Sequence, residues 1–182
     1  MGIVAPVTLD KATKEQKELG AAIFARLGEK PTGPSSIYLH NPGFAQLFDQ
    51  VRIHIGEDFS ISTKHAELCM LVVIRFWSAQ YAWTVHGPAG IKAGLSVELV
   101  EAIRTNQRPP FAGDDEETVY DYVSALLARQ EIPDQLAQKA LALLGEVGLV
   151  ELVSICGVYT LVGQTCAAFD IALPEGMKPA LG

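Results

Sequence analysis

Apolar positions recur at helical spacing along most of the chain, and capping residues cut the pattern into segments. Asp10 to Leu27 predicts a first helix, ended by Gly28. Glu29 to Ser36 holds Pro31, Gly33 and Pro34 and reads as a loop. Asn41 followed by Pro42 is a start signal, because Asn caps and Pro at the first helical position gives up no useful N–H. That helix runs to about Ile55 and stops at Gly56. Ser62 or Thr63 caps a third helix carrying Glu67 through about Phe76, and Ser78 offers a cap for a fourth running toward Ala93, closed by Gly94. Ser96 caps a short helix to about Thr105, and Asn106 to Gly113 is a loop. Asp114, Asp115, Glu116 and Glu117 then place four carboxylates in one first turn, where the helix dipole favours them. That helix ends before Pro133, Asp134 caps the next, and Gly145 or Gly148 divides it from a long last helix reaching Phe169. The last segment is rich in Val and Thr, but its uninterrupted length excludes a strand. The expected fold is all-α: one domain over residues 1–182, a bundle of about seven or eight helices.

Composition narrows the function classes. The chain has 182 residues, 49% hydrophobic and 19% charged, enough for one folded domain with a sizeable core. Its formal charge of −7, with Lys64, Arg75, Arg104 and Arg108 scattered singly, argues against a nucleic-acid or anionic-membrane partner. The apolar excess points to self-association. Met1 to Asp10 has no charged-then-apolar signal pattern, and three scattered cysteines fit a reducing compartment, so a cytoplasmic protein is expected. Val147 to Phe169 has the length of a membrane span, but Glu151, Ser154, Gln164 and three glycines interrupt it. A fully buried core or interface helix is the better expectation. In that helix Cys156 and Cys166 lie ten residues apart, about 15 Å along the axis, whereas a disulfide needs alpha carbons within about 7 Å. No redox-active disulfide is expected within the chain.

No phosphate-binding Gly-rich loop or zinc spacing is present, and His40, His54 and His65 read as surface or hydrogen-bonded side chains. No metal and no cofactor is expected. The segment from Thr63 to Ser96 is richer. Glu67, Met70 and Ile74 share one helix face; Ala79, Ala82 and His86 share a face of the next. Two antiparallel helices would bring Glu67 and His86 together across an apolar seam, as a proton-transfer pair or as a helix-packing hydrogen bond. Tyr81 and Trp83 are candidates to shape the pocket, and Arg75 to hold a substrate carboxylate or to form a structural ion pair. Pro88 cannot donate to the carbonyl of Thr84 and is expected to kink or end its helix.

Thr63-Lys64-His65-Ala66-Glu67-Leu68, Arg75, Tyr81 through His86, and Ala93-Gly94-Leu95-Ser96 together resemble the carboxymuconolactone decarboxylase family. Phe111 to Asp115 and the last helix, Gly148 to Val153 and Ala168 to Ile171, extend the resemblance over roughly residues 40–175. It implies an alkylhydroperoxidase D-like helical fold, assembly into dimers, trimers or hexamers, and a small-molecule substrate. In the antioxidant branch a Glu and a His flank a Cys-x-x-Cys pair. Here those two positions fall on Ala79 and Ala82, so Glu67 and His86 are kept and both sulfurs are missing. Ala66 also stands where an Arg is common. The resemblance therefore implies a cofactor-independent decarboxylase-like lyase acting on a small carboxylated lactone, with Glu67 and His86 catalytic and Arg75, Tyr81 and Trp83 binding substrate. An antioxidant reductase and a non-enzymatic helical oligomer binding an apolar ligand are the alternatives.

Overall fold

A computed structural model describes residues 3–27, 33–129 and 131–182. Among them it is all-helical: α1 Lys14–Leu27, α2 Pro34–Tyr38, α3 Pro42–Glu57, α4 Thr63–Phe76, α5 Gln80–Lys92, α6 Val97–Arg104, α7 Asp114–Leu127 and α8 Asp134–Phe169. The centre is α4. Apolar on nearly every side, it buries Leu68, Cys69, Leu71, Val73 and Ile74 completely, as a helix with no polar face must. Helices α5, α7 and the second half of α8 pack around it, and α1 to α3 form an outer layer against one another and α8.

Local chemistry explains most boundaries. Asn41 accepts from the Phe44 N–H, Ser62 from His65 and Ser96 from Leu99, each satisfying a first-turn donor. The first helix starts at Lys14 rather than Asp10, because Thr13 and Gln16 form a reciprocal capping box: the Thr13 N–H donates to Gln16 Oε1 at 2.9 Å, and the Gln16 N–H to Thr13 Oγ1 at 3.2 Å. Its expected stop at Gly28 lies outside the described residues, as does Pro31. Part of the expected loop before Tyr38 is helical instead: Pro34 opens α2 at its first position. Helix α3 continues through Gly56, with Asp58 closing it.

Three other expectations need correction. Ser78 does not cap α5; it sits at φ 48, its hydroxyl accepts from Arg75, and Ala79 takes the cap position. Pro88 does not end α5, which continues to Lys92. Pro133, not Asp134, is the cap residue of α8, and the break within α8 falls at Gly145, at φ 67 and ψ 178, a conformation only glycine adopts readily. Gly148 is helical. The long helix is also not a core helix buried within its own chain. Its most apolar stretch has mean hydropathy 2.0, yet only 28% of that stretch is buried within the chain. By length and composition it could cross a membrane; in the structure its inner face packs on α4 and α7.

Two anchors fix α4 relative to α8. The Glu151 carboxylate on α8 accepts from the Ser60 N–H, the Ser60 hydroxyl and the Ile61 N–H at 2.8–2.9 Å, pinning the segment that leads into α4. At the adjacent residue of α8, the carbonyl of Leu152 accepts from the Cys69 thiol in the middle of α4 at 3.7 Å.

Candidate active site

The α4–α5 pair brings Glu67 and His86 together. His86 Nδ1 donates to Glu67 Oε2 at 3.0 Å, with both side chains largely shielded from solvent at 14% and 13% exposure. His86 Nε2 meets the Tyr159 hydroxyl at 3.1 Å: a ring protonated on Nδ1 alone accepts there, and a ring protonated on both nitrogens donates. The two rings meet edge to face, centroids 4.9 Å apart and planes at 89°. A carboxylate orienting an imidazole that in turn holds a hydroxyl is a connected path for a proton, built from α4, α5 and α8.

His86 and Tyr159 open onto a cleft whose wall also includes Tyr81, Ala82, Arg52 and Pro34. The enclosed part measures about 30 Å³, room for a water or two. That is well below the volume of a preformed ligand site, so a substrate would widen the cleft as it enters. Arg52, on α3, is the cation in this wall, and its guanidinium donates to Ser35 Oγ at 3.2 Å. Tyr81 is nearly buried, with its hydroxyl against the backbone of Gly33, where an added methyl would come within 2.6 Å.

Two expected site residues lie elsewhere. Trp83 faces the opposite side of α5, in a groove with Gly87, Pro88 and Ile91. Arg75 donates to the Ser78 hydroxyl at 2.9 Å and to the carbonyl oxygen of Gly182 at 3.0 Å, and borders a separate hollow beside Tyr120 and Ser124. It ties down the chain's last residues rather than facing the Glu67–His86 pair. The cation and hydroxyl in the cleft wall that sequence reasoning missed are Arg52 and Tyr159. Tyr159 left a trace, as the single tyrosine of the apolar run; Arg52 left none.

The other histidines have partners outside the cleft. His40 meets the Ala5 carbonyl at 2.8 Å, His54 the Asp58 carboxylate at 2.6 Å, and His65 the Asp115 carboxylate at 2.8 Å. Among the described residues no three His, Cys, Asp or Glu side chains gather into a metal-holding group. Compared with models of known protein families and with curated proteins, the chain matches none.

Proposed function

We propose that this protein is a cofactor-independent lyase that removes carbon dioxide from a small carboxylated lactone, of the kind met in aromatic catabolism, by acid–base catalysis. The observation that carries the reading is the unbroken hydrogen-bond path from the Glu67 carboxylate through His86 to the Tyr159 hydroxyl, ending at a cleft with a guanidinium in its wall. The resemblance to the carboxymuconolactone decarboxylase family supports it through the same Glu and His.

In this reading the bond to the substrate carboxylate breaks, carbon dioxide leaves, and the electron pair moves into the conjugated lactone carbonyl. The carbanion is then protonated on carbon. Tyr159 delivers that proton, its oxygen takes another from protonated His86 Nε2, and Glu67 balances the imidazolium charge. Each turnover draws one proton from solvent. Arg52 acts best at the lactone carbonyl, where negative charge grows. A clamp on the departing carboxylate would be lost in the transition state and would slow the reaction. The protein self-associates in this reading, the exposed apolar side of α8 supplying the contact.

The test is carbon dioxide release from a panel of carboxylated lactones. Positioned acid–base groups supply about 10²- to 10⁴-fold in rate, so Glu67→Gln and His86→Asn should each lose turnover on that scale while keeping their melting temperature. Arg52→Lys should lower kcat more than it raises KM. If the parent turns over none of the panel, or both pair variants keep its rate, the decarboxylase reading fails.

A further inference from the structure

The three cysteines sit in unlike places. Cys166 is far along α8, but Cys69 on α4 and Cys156 on α8 face each other where the two helices cross. The Cys69 thiol donates to the carbonyl of Leu152 at 3.7 Å, one turn before Cys156 on α8, which brings the two thiols near enough to perturb each other's acidity. The sequence expectation weighed only Cys156 with Cys166, two positions on one helix; the helix crossing supplies a different partner.

The two thiols differ in access. Cys69 is fully enclosed, while Cys156 is 7% exposed and lines an open groove of about 490 Å³ between the ends of α4 and α7 and the face of α8. They also differ in acidity. Burial first, and then the Cys156 sulfur, push the Cys69 thiol up, whereas the Cys69 S–H, aided by the Thr160 hydroxyl, pulls the Cys156 thiol down against the effect of burial. A sulfur lining a groove with a second, fully enclosed thiol behind it is the arrangement of an attacking and a resolving cysteine.

We infer that Cys156 is an oxidation site for a small hydroperoxide, and that Cys69 resolves it into a disulfide that staples α4 to α8. The Cys156 thiolate attacks one peroxide oxygen, the O–O bond breaks, and sulfenic acid forms with release of water after protonation. The Cys69 sulfur then attacks the Cys156 sulfur, the S–O bond breaks, and a second water leaves. Two thiols and one hydrogen peroxide give one disulfide and two waters, with sulfur oxidised and peroxide reduced. Bond formation draws the sulfurs to about 2.05 Å, so the helices tighten where they cross. Glu67 lies two residues before Cys69 and Tyr159 three after Cys156. The staple therefore joins the two helices that carry the ends of the proton path, and restrains them without touching it.

The experiment treats the intact reduced protein with hydrogen peroxide, alkylates the remaining thiols and maps the peptides by mass spectrometry. The expected result is a Cys69–Cys156 cross-linked peptide within one chain, two hydrogens lighter and reversed by dithiothreitol, with Cys166 still alkylated. Cys69→Ala should stop at a Cys156 sulfenic acid that dimedone traps, and Cys156→Ser should abolish the cross-link. Wild-type mapping decides the matter even if a variant fails to fold. Oxidation at Cys166 first, a disulfide between chains, or Cys156 left unmodified or carried to sulfinic acid without a disulfide would each overturn the inference. None of these readouts depends on turnover, so the proposed lyase activity stands or falls separately.

Discussion

The hydroxyl of Tyr159 rests 3.1 Å from Nε2 of His86, although the two residues are 73 apart in sequence. The contact makes Tyr159 the end of the proton path nearest the cleft. Tyr159→Phe keeps the edge-to-face ring contact and removes the hydrogen bond to His86, worth about 0.5–1.5 kcal/mol. Its melting temperature should fall by a few degrees at most, while kcat on a substrate that the parent turns over falls by about 10² or more. A kcat left at the parental value would place the last proton donor at His86 and take Tyr159 out of the chemistry.

Local signals made most of the fold legible. Asn41, Ser62 and Ser96 cap their helices through bonds to residues three positions on, and such contacts can be read from sequence. Ser78 has the same chemistry, yet its hydroxyl is engaged by Arg75 and its backbone is left-handed, a demand set by how α4 turns into α5. Glu67 and His86 were legible because they lie on consecutive antiparallel helices facing one seam. Tyr81 and Trp83 could not both face the cleft: two residues on a helix differ by about 200°. Arg52 and Tyr159 reach the site from α3 and α8, and nothing local announces a meeting of distant helices. The same limit hid the approach of Cys69 to Cys156.

Asp115 ties the start of α7 to α4. Its Oδ2 lies 2.8 Å from both Lys64 Nζ and His65 Nε2, and Lys64 also reaches Glu116 at 3.3 Å. Lys64 first, and then His65, hold the Asp115 carboxyl well below the usual carboxylate range, while Asp115 pushes Lys64 up. A lowered carboxyl stabilises the fold fully above the unfolded value, about pH 3.9, and loses that contribution as pH falls through the folded value. A raised lysine contributes fully below about pH 10.4 and loses its share as pH rises through its folded value. Asp115→Asn should therefore be less stable than the parent between about pH 4 and 10. Partial exposure and screening hold the deficit to about 1 kcal/mol or less. Urea unfolding at pH 7 and pH 3 should show the gap narrowing at the lower pH; an equal gap at both would mean the contact is not electrostatic.

Gly163 allows a close approach inside the chain. A methyl built on it would stand 2.6 Å from Cβ and Cγ of Trp77, at the end of α4. Gly163→Ala should cost about 1–3 kcal/mol through overpacking. Gly157, six residues earlier, has nothing within 4 Å of such a methyl. Gly157→Ala in an isolated chain should be neutral or stabilising by up to about 1 kcal/mol through helix propensity. Thermal melts of the two variants side by side check the contrast, and equal melting temperatures would remove Trp77 as the reason for the glycine.

The outward side of α8 carries the self-association proposal. Val147 and Val150 are 65% and 67% exposed, and Val153 is 41% exposed on the same stripe. Three valines in line on a helix of this hydropathy form a surface that a lone soluble chain would leave against water at a cost of about 25 cal/mol per Å². Val158 and Val162, further along α8, border the His86–Tyr159 cleft, so changing them would confound assembly with any chemistry there. Val150→Asp is the cleaner variant, because its side chain meets solvent in a single chain and a charge there costs the fold little. If α8 meets a second copy through this stripe, the same charge is buried without a partner and the assembly dissociates. Sedimentation velocity at micromolar concentration should then show an oligomer for the parent and a folded monomer for Val150→Asp, with unchanged helix content by circular dichroism. A monomeric parent would remove the proposal. An oligomeric variant would move the contact to another face, because no interface centred on Val150 tolerates a buried carboxylate facing its own copy.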